Sequence, residues 1–200
     1  MSSNIHARSG SAVPMTGASA NKFSGCTVGE ETWLTPRYII DELGPFDLDP
    51  ATPPKMPWGT ATRMLTEKED GLATFWPKSD FVWHNPPYGR GIGAWMKKMA
   101  DHGNGISLIF ARTETASFQQ YVWRHPNTSG VFFFDGRLKF CRPDGTPAGT
   151  AGAPSALVAH GKKALLRLQT AVEKGLLRGV IVAPPHCMST KVASARKKAA

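Results

Sequence analysis

The sequence predicts an α/β fold: a mostly parallel sheet with helices between its strands and an antiparallel edge hairpin. Three observations carry this reading. Short apolar runs of strand length, residues 81–83 and 106–111, alternate with segments whose apolar residues recur at helical spacing. Late in the chain two apolar runs, residues 131–134 and 137–140, flank Asp135-Gly136, a strong signal for a tight hairpin. The 200 residues, with 41% hydrophobic and 20% charged content, suffice for one well-cored soluble domain.

The elements follow in order. Residues 1–25 are rich in Ser, Ala and Gly and read as a flexible tail; residues 26–186 read as the single domain; residues 187–200 form a basic C-terminal tail. Thr35-Pro36 places a capping hydroxyl before a proline suited to a helix start, Ile39, Ile40 and Leu43 share one face, and Gly44 ends the turn. A short strand at residues 46–48 runs into Asp49-Pro50. Residues 52–78 are polar, Pro-bearing and read as exposed and irregular. The strand at 81–83 delivers Asn85-Pro86-Pro87-Tyr88 at its carboxyl end, where open parallel sheets bind ligands. A helix through Trp95, Met96 and Met99 stops at Gly103, the strand 106–111 follows, and Phe118, Tyr121 and Val122 recur at helical spacing as core residues. After the hairpin, a Gly/Pro/Thr-rich loop over 143–154 leads to a strand at 156–159. Leu165, Leu168, Val172 and Leu176 then mark one helical stripe, and a last strand covers 180–183.

Asn85-Pro86-Pro87-Tyr88 carries the chemistry. An Asn side-chain oxygen and a neighbouring backbone carbonyl can both accept hydrogen bonds from one exocyclic NH2, with prolines fixing the backbone and Tyr88 offering a flat face to a base. The alternative is an ordinary Pro-rich turn. Against 15 Asp+Glu the chain has 24 Lys+Arg, a net charge of +9, which suggests a polyanionic partner, with solubility charge as the alternative. Cys26, Cys141 and Cys187 are odd in number and widely spaced, which argues against a disulfide framework or a four-ligand zinc site and for a reducing, cytoplasmic setting. No metal is expected. No run reaches membrane-spanning length, and the N-terminal stretch lacks the apolar core of a signal peptide.

Taken together, Trp33-Leu34-Thr35-Pro36, Phe46-Asp47-Leu48-Asp49-Pro50-Ala51, Asp70-Gly71-Leu72, Trp83-His84-Asn85-Pro86-Pro87-Tyr88 followed by Trp95, Ala111-Arg112-Thr113-Glu114-Thr115 and Gly136-Arg137-Leu138-Lys139-Phe140 resemble, in order, the phage-type DNA N6-adenine methyltransferases of the Dam class. The resemblance implies a Rossmann-like class I methyltransferase sheet, S-adenosylmethionine as cofactor, DNA as partner with the target adenine flipped out, and a phage or prophage origin in a bacterial host. It implies Asn85, Pro86, Pro87 and Tyr88 as catalytic residues. Thr35, Pro36, Asp49, Pro50, Asp70 and Asn85 are implied on the cofactor, Thr35 with a helix cap and Asp70 with a loop end as the alternatives. Arg90, Arg112, Arg137 and Lys139 adjoin these motifs and are candidates for phosphate contact or for solvated surface. His84 reads as a packing or hydrogen-bonding residue. The chain departs from the broader methyltransferase pattern by lacking Gly-x-Gly at residues 49–53. Two other readings remain: methylation of protein glutamine or of RNA by the same motif, and a catalytically silent DNA-binding module.

Overall fold

The computed structural model describes residues 33–187. The predicted tails and Cys26 lie largely or wholly outside this range. Seven strands form one sheet in the order β2-β1-β3-β4-β8-β5-β9, with β1 (Leu48–Asp49), β2 (Arg63–Met64), β3 (Val82–His84), β4 (Gly105–Phe110), β5 (Thr128–Phe134), β8 (Ser155–His160) and β9 (Gly179–Val182). A second, two-stranded sheet pairs β6 (Lys139–Cys141) with β7 (Pro147–Thr150). The helices are α1 (Arg37–Leu43), α2 (Ile92–His102), α3 (Ala116–Phe118), which continues as a π-helical turn over Gln119–Trp123, and α4 (Lys162–Glu173). Among the described residues no helix is long and apolar enough to cross a membrane.

The sheet divides into two halves. β2, β1, β3 and β4 run parallel, whereas β8 runs against both β4 and β5, and β9 against β5. The α/β expectation therefore holds, and the mostly parallel expectation holds for one half. Alternation along each strand feeds two layers. Trp83, Ile106, Leu108, Phe132, Leu157 and Ala159 pack with Ile39, Ile40 and Leu43 of α1 and Ala164, Leu168 and Ala171 of α4. Ile109, Val131, Ala156 and Val158 meet Met96 of α2 with Phe118 and Val122.

Several expectations are corrected. Residues 131–134 and 137–140 do not form a hairpin. The Asp135 amide donates to the Arg178 carbonyl (2.9 Å), continuing the β5–β9 ladder, while the Arg137 guanidinium reaches the Ala151 and Gly152 carbonyls (3.0 and 2.7 Å) and draws the chain into the small sheet. The antiparallel edge is β9. Gly136 has φ +90°, so the turn signal is real; its partner strand is not the one that follows. Thr35 does not cap α1, whose N-terminus has no side-chain cap. Residues 52–78 hold β2, a 3₁₀ turn (Glu67–Glu69) with a Thr66 capping box, and the buried Thr52, Thr60, Leu65 and Trp76. Residues 143–154 contain β7. Leu176 is exposed, and Leu177 takes the core position instead.

Candidate active site

Parallel strands place their carboxyl ends on one edge, and here that edge gathers the motifs. β1 ends at Asp49 and runs into Pro50, β3 is followed directly by Asn85, and β4 by Ala111-Arg112. Because successive strand residues alternate, Asn85 leaves the sheet on the Trp83 side, the side of α1 and of the segment that precedes it. That segment is stitched in place by reciprocal backbone bonds between Leu34 and Cys141 (3.0 and 2.9 Å). A cleft forms there, lined among others by Trp33, Thr35, Asp49, Thr60, Trp83 and Asn85. Three residues far apart in sequence, Thr35, Asp49 and Asn85, thus share one wall.

Asn85 is held at both ends of its amide. Nδ2 donates to the Thr35 hydroxyl (3.2 Å) and to the Trp33 carbonyl (3.4 Å); Oδ1 accepts from the Tyr88 hydroxyl (3.2 Å). The same hydroxyl also lies 3.3 Å from the Leu108 carbonyl. A phenol has one proton, so it serves two acceptors and satisfies neither fully. Burial raises the Tyr88 phenol above its ordinary value and keeps that proton in place. One face of the Tyr88 ring stacks on Phe110, with centroids 4.2 Å apart. Pro86 is buried and Pro87 exposed, so the turn is anchored at its first proline.

Asp49 is the charged group of the cleft. It is 3% exposed, accepts from the Thr60 hydroxyl (2.5 Å) and the Ala51 amide (3.0 Å), and is pushed up to about 6 by burial against those opposing hydrogen bonds. Pro50, the next residue in the chain, and Pro36 are both buried. Asp70 stands elsewhere: exposed, at φ +44°, with its carboxylate accepting from the Leu72 and Ala73 amides (3.1 Å each). It does not line the cleft with Thr35 and Asn85. Its neighbour Gly71 nonetheless packs on the Asp49-Pro50 loop, where a β-carbon would collide with the Pro50 carbonyl and the Trp95 ring. Lys98 ties the Gly71, Leu72 and Thr74 carbonyls together (3.1, 2.6 and 2.6 Å), so the Asp70 turn is fixed against the end of β1.

His84 faces the opposite side. Its Nδ1 lies 3.0 Å from the Ser107 hydroxyl, which lies 3.1 Å from Nε2 of His160, and Trp76 and Trp95 flank the ring. Burial lowers both imidazoles to about 3, so both are neutral core groups. Arg90, Arg112, Arg137 and Lys139 are all exposed, near the strand ends or on the small sheet and its approach, and the Arg137 guanidinium reaches the Ala151 and Gly152 carbonyls. The Trp33 carbonyl, Thr60 and Phe110 were not singled out from sequence. A main-chain acceptor carries no sequence signal, and Thr60 sits in a stretch without periodicity.

The sequence matches the DNA N-6-adenine-methyltransferase (Dam) family over residues 27–173, well over half of the chain. No curated protein and no solved structure matches. Every motif residue described above, from Trp33 to Lys139, falls inside the matched range, and the chain belongs to the DNA N-6-adenine-methyltransferase family.

Proposed function

We propose that the protein transfers a methyl group from S-adenosylmethionine to the exocyclic N6 of an adenine flipped out of DNA, on a Rossmann-like scaffold. The single observation that carries this reading is the Asn85 amide, held by Thr35 and Trp33 with its oxygen turned to a hydroxyl that has another acceptor available. The parallel half of the sheet, with its motifs at the strand carboxyl ends, supports the scaffold.

The residues that line the cleft suit the cofactor's charge. A buried carboxylate whose charged form is disfavoured suits a cationic ligand, and S-adenosylmethionine carries an ammonium and a sulfonium. Asp49 would hold it, with the Asn85 amide and the Thr35 hydroxyl that orients it standing alongside. When bound, the cofactor supplies an electrophilic methyl on a good leaving group.

The chain's own residues prepare the nucleophile. The N6 lone pair of adenine is delocalised into the ring, and drawing both N–H bonds to acceptors favours a more tetrahedral nitrogen. Asn85 Oδ1 and the Pro86 carbonyl are those acceptors. As the amino group arrives, the Tyr88 proton turns wholly to the Leu108 carbonyl, so Oδ1 is released without leaving a buried hydroxyl unpaired. Phe110 backs the Tyr88 ring, and the other face of that ring receives the base. Such preorganised groups add no reorganisation cost at the moment of reaction. The exposed Arg90, Arg112 and Lys139 are proposed to meet phosphates, adding to the attraction of a +9 chain.

Incubation with cofactor labelled in the methyl group and with DNA, RNA or protein separates the substrate classes. Label in N6-methyladenine of DNA is the expected result; label in RNA or protein alone, or in none of them, would overturn the reading.

A further inference from the structure

We propose that Thr35 is a positioning residue: with the Trp33 carbonyl it fixes which end of the Asn85 amide faces the reacting amino group. The inference rests on the reading of Asn85 given above. An Asn amide is nearly symmetric in shape, and rotation by half a turn exchanges its acceptor for its donor. A flipped Asn85 would present NH2 to the adenine NH2, donor against donor, and the site would be dead.

The structure supplies what breaks that symmetry. The Trp33 carbonyl, 3.4 Å away, can only accept, so the group facing it must be Nδ2. Thr35 adds a second bond to Nδ2 at 3.2 Å from the same side; its hydroxyl can also donate, so it reinforces the orientation that the obligate acceptor at Trp33 dictates. Thr35 is 2% exposed, and its hydroxyl does not cap the helix it precedes, so its buried polar atom is accounted for by Asn85. Both acceptors come from a segment pinned to β6 through Leu34 and Cys141, independent of the Asn85-Pro86-Pro87-Tyr88 turn they orient. The orientation of the amide is therefore imposed from about fifty residues upstream in sequence.

Thr35→Val keeps the shape and removes the acceptor. At saturating cofactor and DNA, its single-turnover rate of methyl transfer should fall about tenfold, the equivalent of one neutral hydrogen bond, while the calorimetric affinity for S-adenosylmethionine stays within about twofold. Thr35→Ser, which restores the acceptor, should return the rate to near the native value. A native rate in Thr35→Val would overturn the proposal. So would a deficit that disappears at saturating cofactor, since Thr35 would then serve cofactor binding alone. Thr35→Ala, which cannot overfill the site, gives the same comparison should the valine variant fail to fold. Asn85→Ala is measured alongside: if it keeps its rate, the reading of the site falls and Thr35 with it. If Asn85→Ala collapses while Thr35→Val does not, only the positioning role is lost.

Discussion

Replacing Asp49 by Asn should stabilise the protein at neutral pH and weaken it as a cofactor receptor. Asp49 is 3% exposed, and burial moves its carboxyl from 3.8 to about 6. Between those values the folded chain holds a proton that the unfolded chain has released. The contribution of the group to folding is thus fully present below pH 3.8 and is lost as pH rises through 6. At about 1.36 kcal/mol per pKa unit, the full loss is up to about 3 kcal/mol. Asparagine keeps a carbonyl oxygen for the Ala51 amide and can donate to the Thr60 hydroxyl, so the local bonds survive without the charge. Urea unfolding of both proteins at pH 4 and pH 8 checks this. Asp49→Asn should match the native chain near pH 4 and exceed it by up to about 3 kcal/mol at pH 8. A difference that is the same at both pH values would refute the reasoning, because Asp49 would then not be the titrating group. The same variant should lose roughly 10- to 100-fold in S-adenosylmethionine affinity, as expected for removing a hydrogen bond to a charged group. A site that gives up stability for a ligand is a familiar trade.

Two further outcomes follow from the site geometry. Gly71→Ala should destabilise the fold by about 1–3 kcal/mol, because its β-carbon meets the Pro50 carbonyl and Trp95, and the defect should show as a lowered urea midpoint together with weaker cofactor binding. Tyr88→Phe keeps the ring on Phe110 and removes the competing hydroxyl from Asn85 Oδ1, so steady-state kinetics should show activity largely retained; a loss as deep as that of Tyr88→Ala would show that the hydroxyl, not the ring, matters.

What was legible in the sequence was mostly local. The helix through Trp95 and Met99 ends at Gly103 with φ +75°, as its spacing and terminal glycine predict, and the strands at residues 81–83 and 106–111 lie within a residue or so of β3 and β4. Asn85, Thr35 and Asp49 were named by motif, and the fold brings them to one cleft. The failures lie where distant partners decide. Asp135-Gly136 turns the chain, but Arg178 and the Ala151–Gly152 carbonyls determine where each arm goes. Thr35 has the residue type of a helix cap, yet an amide fifty positions away takes its hydroxyl. In each case propensity named the possible bonds, and tertiary competition chose among them.

The most direct test of the central claim is single-turnover methyl transfer to adenine-containing DNA by folded Asn85→Ala. Removing the side-chain acceptor leaves the Pro86 carbonyl, the Tyr88 ring and the Asp49 end of the cleft in place, so cofactor binding should persist while the rate falls on the order of 10²–10³. A near-native rate in that variant would contradict the account and reduce Asn85-Pro86-Pro87-Tyr88 to a turn.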